Sequence, residues 1–195
     1  MNTQVNAFSK AVALLVLIFL SLGVVAQEKK SYFTIEFGQV VQQFTNVYDG
    51  PSIQFAGGYK LNRNFGVEFG VEYSPGGIAA DDFWRDIDGP VEFDNVNMLS
   101  VFATTEWHLS PRTSLFTKLG STRGTADFNG LTPNTSPTFG RLTETNLVFV
   151  LGIARPIRED MDLTFSVKEK FSANFFALGD SFDSSTVSVG LRRRW

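Results

Sequence analysis

One histidine and no cysteine in 195 residues leave little from which a catalytic or metal centre could be built. Without cysteine there is no thiolate nucleophile, thiolate zinc site or disulfide. His108 alone cannot supply a histidine-built metal site. One spacing does suggest chemistry. His108 and Ser110 stand two residues apart, and a serine hydroxyl is a weak nucleophile until a base takes its proton. A second feature is acidic: Asp81, Asp82, Asp86, Asp88, Glu92 and Asp94 crowd residues 75–95 against a single base, Arg85. Asp86-Ile87-Asp88-Gly89 opens like a calcium loop, but the further ligands are missing at their spacing. We read a solvated acidic loop and expect no cofactor.

The largest set of charges lies elsewhere and takes its meaning from the elements that carry it. Beyond residue 30 the chain alternates apolar and polar residues with the period of a strand. Phe33, Ile35 and Phe37 alternate in this way, as do Ile53, Phe55, Tyr59 and Leu61, and then Phe65 through Tyr73. Further runs centre on Leu99–Trp107, Leu115–Leu119, Leu147–Ile153, Met161–Val167 and Val187–Leu191. These make eight candidate strands of about 9–11 residues, the length of a tilted membrane crossing. Short connections (62–64, 110–112, 156–160) alternate with long polar ones (roughly 42–51, 74–95, 122–142 and 172–184), rich in the residues of exposed loops. Short turns at one end and long loops at the other are the layout of an outer-membrane barrel.

Composition agrees with this reading. Hydrophobic residues make up 43% and aromatics 14%, with 20 phenylalanines, yet mean hydropathy is +0.00. Apolar and polar residues are therefore finely interleaved. A net charge of −3 argues against general nucleic-acid binding. Residues 1–26 read as a cleaved signal peptide: Lys10, an apolar core from Ala11 to Val25, then Val24 and Ala26 before Gln27. The core is shorter than the ~20 residues of a permanent membrane helix, and no cysteine follows it for lipid attachment. The mature domain is then 27–195, with 16 basic and 20 acidic residues.

Alternation alone fits two barrels of opposite polarity. A soluble barrel buries its apolar face, whereas a membrane barrel turns that face to lipid. Aromatic residues at strand ends (Tyr59, Phe65, Tyr73, Trp107, Trp195) suit membrane girdles. The opposite face mixes glycine with charges of both signs: Glu36, Glu68, Glu72 and Glu106 against Lys60, Lys118, Lys168, Arg192 and Arg194. Such density suits a narrow interior closed by ion pairs, because an unpaired buried charge costs several kcal/mol. Glu106 with Lys118, and Glu36 with Arg192, are the pairings that strand order suggests. A plugged interior is favoured over an open pore, since eight strands enclose room for side chains only. The reading is an all-β, eight-stranded antiparallel up-and-down transmembrane β-barrel with both termini periplasmic.

The last nine residues, Val187 to Trp195, resemble the terminal strand of bacterial outer-membrane proteins, with Gly190, Leu191 and a final aromatic, Trp195. Gly57–Tyr73 and Glu106–Gly120 resemble hairpins of the OmpA/OmpX-like barrel family, often labelled porin family. The resemblance covers the whole mature chain. Arg193 departs from it, standing where an aromatic is usual. The resemblance implies the outer membrane of a Gram-negative bacterium, contact with lipid and lipopolysaccharide, and delivery by the barrel assembly machinery, which reads Gly190, Leu191 and Trp195. It further implies a monomeric, non-enzymatic envelope protein whose four surface loops meet the outside. A narrow conduit for ions or small solutes is one alternative. A lipid A-modifying enzyme is another, since some barrels of this size use a His-x-Ser motif. Against that, the expected topology puts His108 and Ser110 on the periplasmic side. Phe83 and Trp84, with Phe175 and Phe176, read either as outer girdle residues or as anchors for a partner.

Overall fold

The computed structural model describes residues 30–42, 50–79, 91–131, 137–172 and 184–195. Eight strands run in order: β1 Ser31–Gln42, β2 Gly50–Lys60, β3 Phe65–Ala79, β4 Val91–Ser110, β5 Thr113–Leu131, β6 Pro137–Arg158, β7 Met161–Ser172 and β8 Ser184–Arg194. Each pairs antiparallel with its sequence neighbours, and β1 pairs with β8, so the sheet closes. Closure leaves no unpaired edge for hydrocarbon to solvate. The turns 61–64, 111–112 and 159–160 share one end of the barrel with both described chain ends. Asn62 builds the first turn, its Oδ1 accepting from the amides of Asn64 and Phe65 at 2.9 Å each. The Trp195 amide donates to Ser31 O at 3.0 Å and ties the seam. The segment read as a leader, 1–26, lies outside the described residues, as do Asp81, Asp82, Phe83, Trp84, Asp86, Asp88, Phe175 and Phe176.

Register sets the tilt. From Trp107 on β4 the partners run Leu115, Ile153, Phe165, Val189, Phe37, Ile53 and Tyr73, and return to β4 at Asn97. One circuit therefore climbs ten residues, a stagger that for eight strands goes with a tilt of roughly 35–45°. Residues opposite in register consequently sit at different heights along the barrel axis.

The polarity is that of a membrane barrel. Among the described residues 24 large apolar side chains are exposed, including Phe37, Phe69, Leu119, Phe149 and Val187, whereas only eight apolar residues are buried. The buried face carries 23 polar or charged residues. A soluble barrel would reverse this distribution. Tyr59, Phe65 and Trp107 stand at the turn end of the apolar band, and Tyr73 and Phe171 at the other.

Strand length departs from expectation. The strands span 11 to 22 residues, and β4, β5 and β6 reach 20, 19 and 22. Most of the connection expected over 122–142 is instead a β5–β6 ribbon paired out to Leu131 and Pro137. Likewise β3 and β4 stay paired to Ala79 and Val91, and β6 continues to Arg158, shortening the connections expected over 74–95 and 156–160. Alternation is enforced only where one face meets lipid. Beyond that band both faces can be wet, and strands persist through β-branched residues such as Thr143 and Thr145 and cross-strand pairs. Asp127 and Arg141 are one such pair, opposite in register and 2.8 Å apart.

Inside, large residues lie against glycines. Tyr32 faces Gly58, Phe102 faces Gly120, Phe116 faces Gly152 and Glu36 faces Gly190 across neighbouring strands. A Cβ on Gly58 would overlap the Tyr32 ring, and one on Gly152 the Phe116 ring. Small barrels fill a narrow interior by such large–small alternation. Gly58→Val is therefore expected to lower stability by about 2 kcal/mol or more through overpacking. The check is urea unfolding of the protein refolded into lipid vesicles, with Gly124→Val as the comparison, since a Cβ there meets nothing closer than 3.5 Å.

Candidate functional site

The inward face converges on a network of buried ion pairs arranged in three storeys. The lowest, at the turn end, is a chain. Lys60 Nζ lies 2.7 Å from Glu106, which also holds Arg192 at 2.9 Å; Arg192 reaches Asp162 at 3.0 Å, and Asp162 holds Arg194 at 2.7 Å. In the middle storey Lys118 Nζ meets Glu68 at 2.7 Å and Glu36 at 3.4 Å, while the Tyr32 hydroxyl donates to Glu68 at 2.9 Å. In the upper storey Glu72 holds Lys168 at 2.9 Å and Lys170 at 3.4 Å. Lys168 also donates to Gln54, and Lys170 lies 3.1 Å from the Met98 thioether.

Aromatic rings join the lower storeys. The Phe116 ring lies between Lys118 Nζ at 5.5 Å and the Arg192 guanidinium at 5.9 Å, and Tyr32 stacks under Arg192 at 5.6 Å. Such contacts help hold cations away from water. The remaining wall, on β4 to β6, is apolar: Phe102, Phe116, Val148, Val150 and Ala154 form one buried cluster. A cavity of about 20 Å³ beside Tyr32, Glu106 and Arg192 has room for about one water. Charges line one side of the interior and packed hydrocarbon the other.

Two expected pairings do not form. Glu106 stands opposite Phe116 in register and bonds Lys60 and Arg192, not Lys118. Glu36 stands opposite Gly190 and meets Lys118, while Arg192 turns to Glu106 and Asp162. The stagger is the reason. Side chains at similar distances from a shared turn need not point at one another, and long side chains reach across the lumen to strands far away in order. Asp162, Lys170, Tyr32 and Gln54 complete the network although charge and family pattern had not singled them out. Parity could have found them: Asp162 and Lys170 share the face of Lys168 on β7, and Tyr32 that of Glu36 on β1.

The other candidate chemistry is not assembled. His108 Nδ1 lies 2.7 Å from Ser114 Oγ, its cross-strand neighbour, and Ser110 Oγ accepts from the Arg112 amide at 3.2 Å. Each has a different partner, and both are exposed at the turn end. Among the described residues no cluster of three acidic or histidine side chains could hold a metal. Glu92 and Asp94 fall on β4, with side chains outside those described. At the terminus Gly190 points inward, Leu191 outward, and Trp195 is half-buried beside the β1–β8 seam.

A closed barrel with a polar interior and an apolar exterior is a transmembrane β-barrel of outer-membrane type. The family model described as the outer membrane protein beta-barrel domain matches residues 12–194, and the chain belongs to that family. No curated protein matches it. Solved structures share the fold. OprG from Pseudomonas aeruginosa superposes with a TM-score of 0.62 at 10% identity, covering 85% of this chain and 96% of that one. Neisserial surface protein A follows at 0.57 and 13%, covering 85% and 97%. Ail of Yersinia pestis, solved in complex with the heparin analogue sucrose octasulfate, gives 0.56 and 16%, covering 85% and 98%.

Glu106 is the shared acid of two cations. Glu106→Gln leaves Lys60 without a carboxylate and is expected to cost about 3 kcal/mol, as for breaking a buried pair. Urea titration in vesicles reads this directly. Asp127→Asn, which breaks an exposed pair on the outer ribbon, is expected to leave the unfolding midpoint unchanged.

Proposed function

We propose that the chain is a non-enzymatic protein of the Gram-negative outer membrane, exported by its 1–26 leader, that presents a contact surface to the outside above a closed lumen. One observation carries this reading: the strands outrun the barrel on one side only. β6 pairs with β7 no further than Asn146 and Ser172, while its outer residues, Pro137 to Thr145, pair with β5 alone. Among the described residues β3 beyond Tyr73 likewise pairs with β4 alone, so two strands present free edges, and the longer one, on β6, has unpaired amides and carbonyls that suit an extended segment of a partner. Short turns face the periplasm in such barrels and long strands the outside, so the free edge faces outward. In this reading Gly190, Leu191 and Trp195 form the signal read by the assembly machinery, the outer rim lies among lipopolysaccharide, and the protein acts as a monomer. The buried ion pairs and the apolar cluster inside the barrel weigh against a conduit. The separate partners of His108 and Ser110 weigh against lipid A modification.

The test replaces residues 126–140 with a two-residue Asn-Gly turn. The shortened barrel is expected to stay folded, with its gel mobility still changing on boiling, while cells displaying it lose the surface binding that the full chain confers. Retained binding, or ohmic conductance comparable with an open porin in planar bilayers, would overturn the reading.

A further inference from the structure

The turn end of the barrel carries a basic face that neither the lumen nor the outer sheet uses. Among the described residues Arg63, Arg112, Arg155, Arg158 and Arg193 are exposed there, against two acids, Glu159 and Asp160. That balance is the reverse of the chain's net charge of −3. Three of these arginines gather around one hairpin. Arg155 and Arg158 are on β6, and Arg193, on β8, stands opposite Met161 at the start of β7. Arg193 bonds Asp160 at 3.2 Å yet remains 66% exposed. Arg155 and Arg158 have no side-chain partner among the described residues.

Level along the axis gives these arginines a meaning. Leu147, Phe149, Leu151 and Ile153 point outward on β6, so Arg155 continues the lipid-facing row, followed by Ile157. With ten residues climbed per circuit, each step between strands shifts the level by about 1.25 residues. The strand positions level with Trp107 are then near Phe65 on β3, Tyr59 to Leu61 on β2, Arg155 to Ile157 on β6 and Arg193 to Arg194 on β8, where Arg193 is the one turned outward. The girdle at this end is therefore uneven, aromatic on β2 to β4 and carrying guanidinium groups on β6 to β8 up to the terminal Trp195. At this depth a lipid-facing charge costs little, provided that its donors meet something other than hydrocarbon. The groups found there in quantity are lipid headgroups, and the planar fork of arginine matches phosphate oxygens in pairs.

We infer that Arg155, Arg158 and Arg193 form a binding site for the phosphate of an anionic phospholipid in the leaflet at the turn end of the barrel. This does not depend on the surface-contact reading, because it uses the opposite end of the molecule. Excess positive charge selects anionic over zwitterionic headgroups, and exposed Leu191 and Ile153 lie beside the site to pack the acyl chain.

The experiment is native mass spectrometry of the full, folded chain in detergent with phosphatidylglycerol and phosphatidylcholine in competition. Phosphatidylglycerol is expected to be retained in preference, by about fivefold per arginine engaged. The Arg155→Gln, Arg193→Gln double variant is expected to bring the two lipids to parity, and Arg141→Gln on the outer ribbon to change nothing. A second variant, Arg155→Lys with Arg193→Lys, keeps the charges and is expected to retain a reduced preference, which covers any failure of the glutamine variant to fold. High salt should abolish the preference of the unmodified chain. Equal retention of the two lipids, an undiminished preference in the glutamine variant, or displacement of phosphatidylglycerol by lipopolysaccharide would each overturn the proposal.

Discussion

The interior of an eight-stranded wall must be filled by side chains and still be left with almost no unpaired charge. That double demand governs the rest of this molecule. Volume is met by setting Tyr32, Phe102, Phe116 and Glu36 against glycines on neighbouring strands. Charge is met by carboxylates that each serve two cations, as Glu106, Asp162 and Glu72 do. Buried pairs of this kind add little net stability over a hydrocarbon filling, but removing one partner is costly. The network therefore restricts which arrangements of the eight strands are tolerable more than it strengthens any one of them.

The two halves of the lumen solve the filling problem differently. β4, β5 and β6 contribute the cluster of Phe102, Phe116, Val148, Val150 and Ala154, whereas β1, β2, β3, β7 and β8 contribute most of the charges. The apolar half lies beneath the strands that extend beyond the membrane. Val148 and Val150 pack inside the barrel on the same strand that continues outward to Pro137. A dry, close-packed wall is the stiffer base for a projecting ribbon, and the exposed Asp127–Arg141 pair adds order further out.

Much of this was readable from residues alone because a bilayer forces a period of two. Strand number, order, closure and the inward set from Glu36 to Arg194 follow from alternation and from the scarcity of any other place for such charges. What alternation cannot carry is distance across the lumen. Glu106 chooses Lys60 and Arg192 over Lys118 because of a ten-residue stagger that no single strand records, and because lysine and arginine are long enough to cross. Lys170 shares parity with Lys168 but lies beyond Met161–Val167, the apolar alternation that marks β7 in the sequence. The outer halves of β5 and β6 read as loop from residues alone because Thr122–Thr125 and Thr143–Thr145 lose alternation where lipid no longer imposes it.

The position of Arg192 also bears on the order of assembly. It sits on the last strand yet supplies a cation to Glu106 on β4 and Asp162 on β7, and Arg194 follows it to Asp162. A barrel wound as far as β7 would enclose Asp162 with no cation and Glu106 with Lys60 alone. Seven strands are thus poor company for their own interior, and the final segment completes an electrostatic circuit as well as a hydrogen-bonded seam. Docking of β8 between β7 and β1 removes that penalty at one stroke, which gives the closing step a thermodynamic direction set by side chains inside the wall.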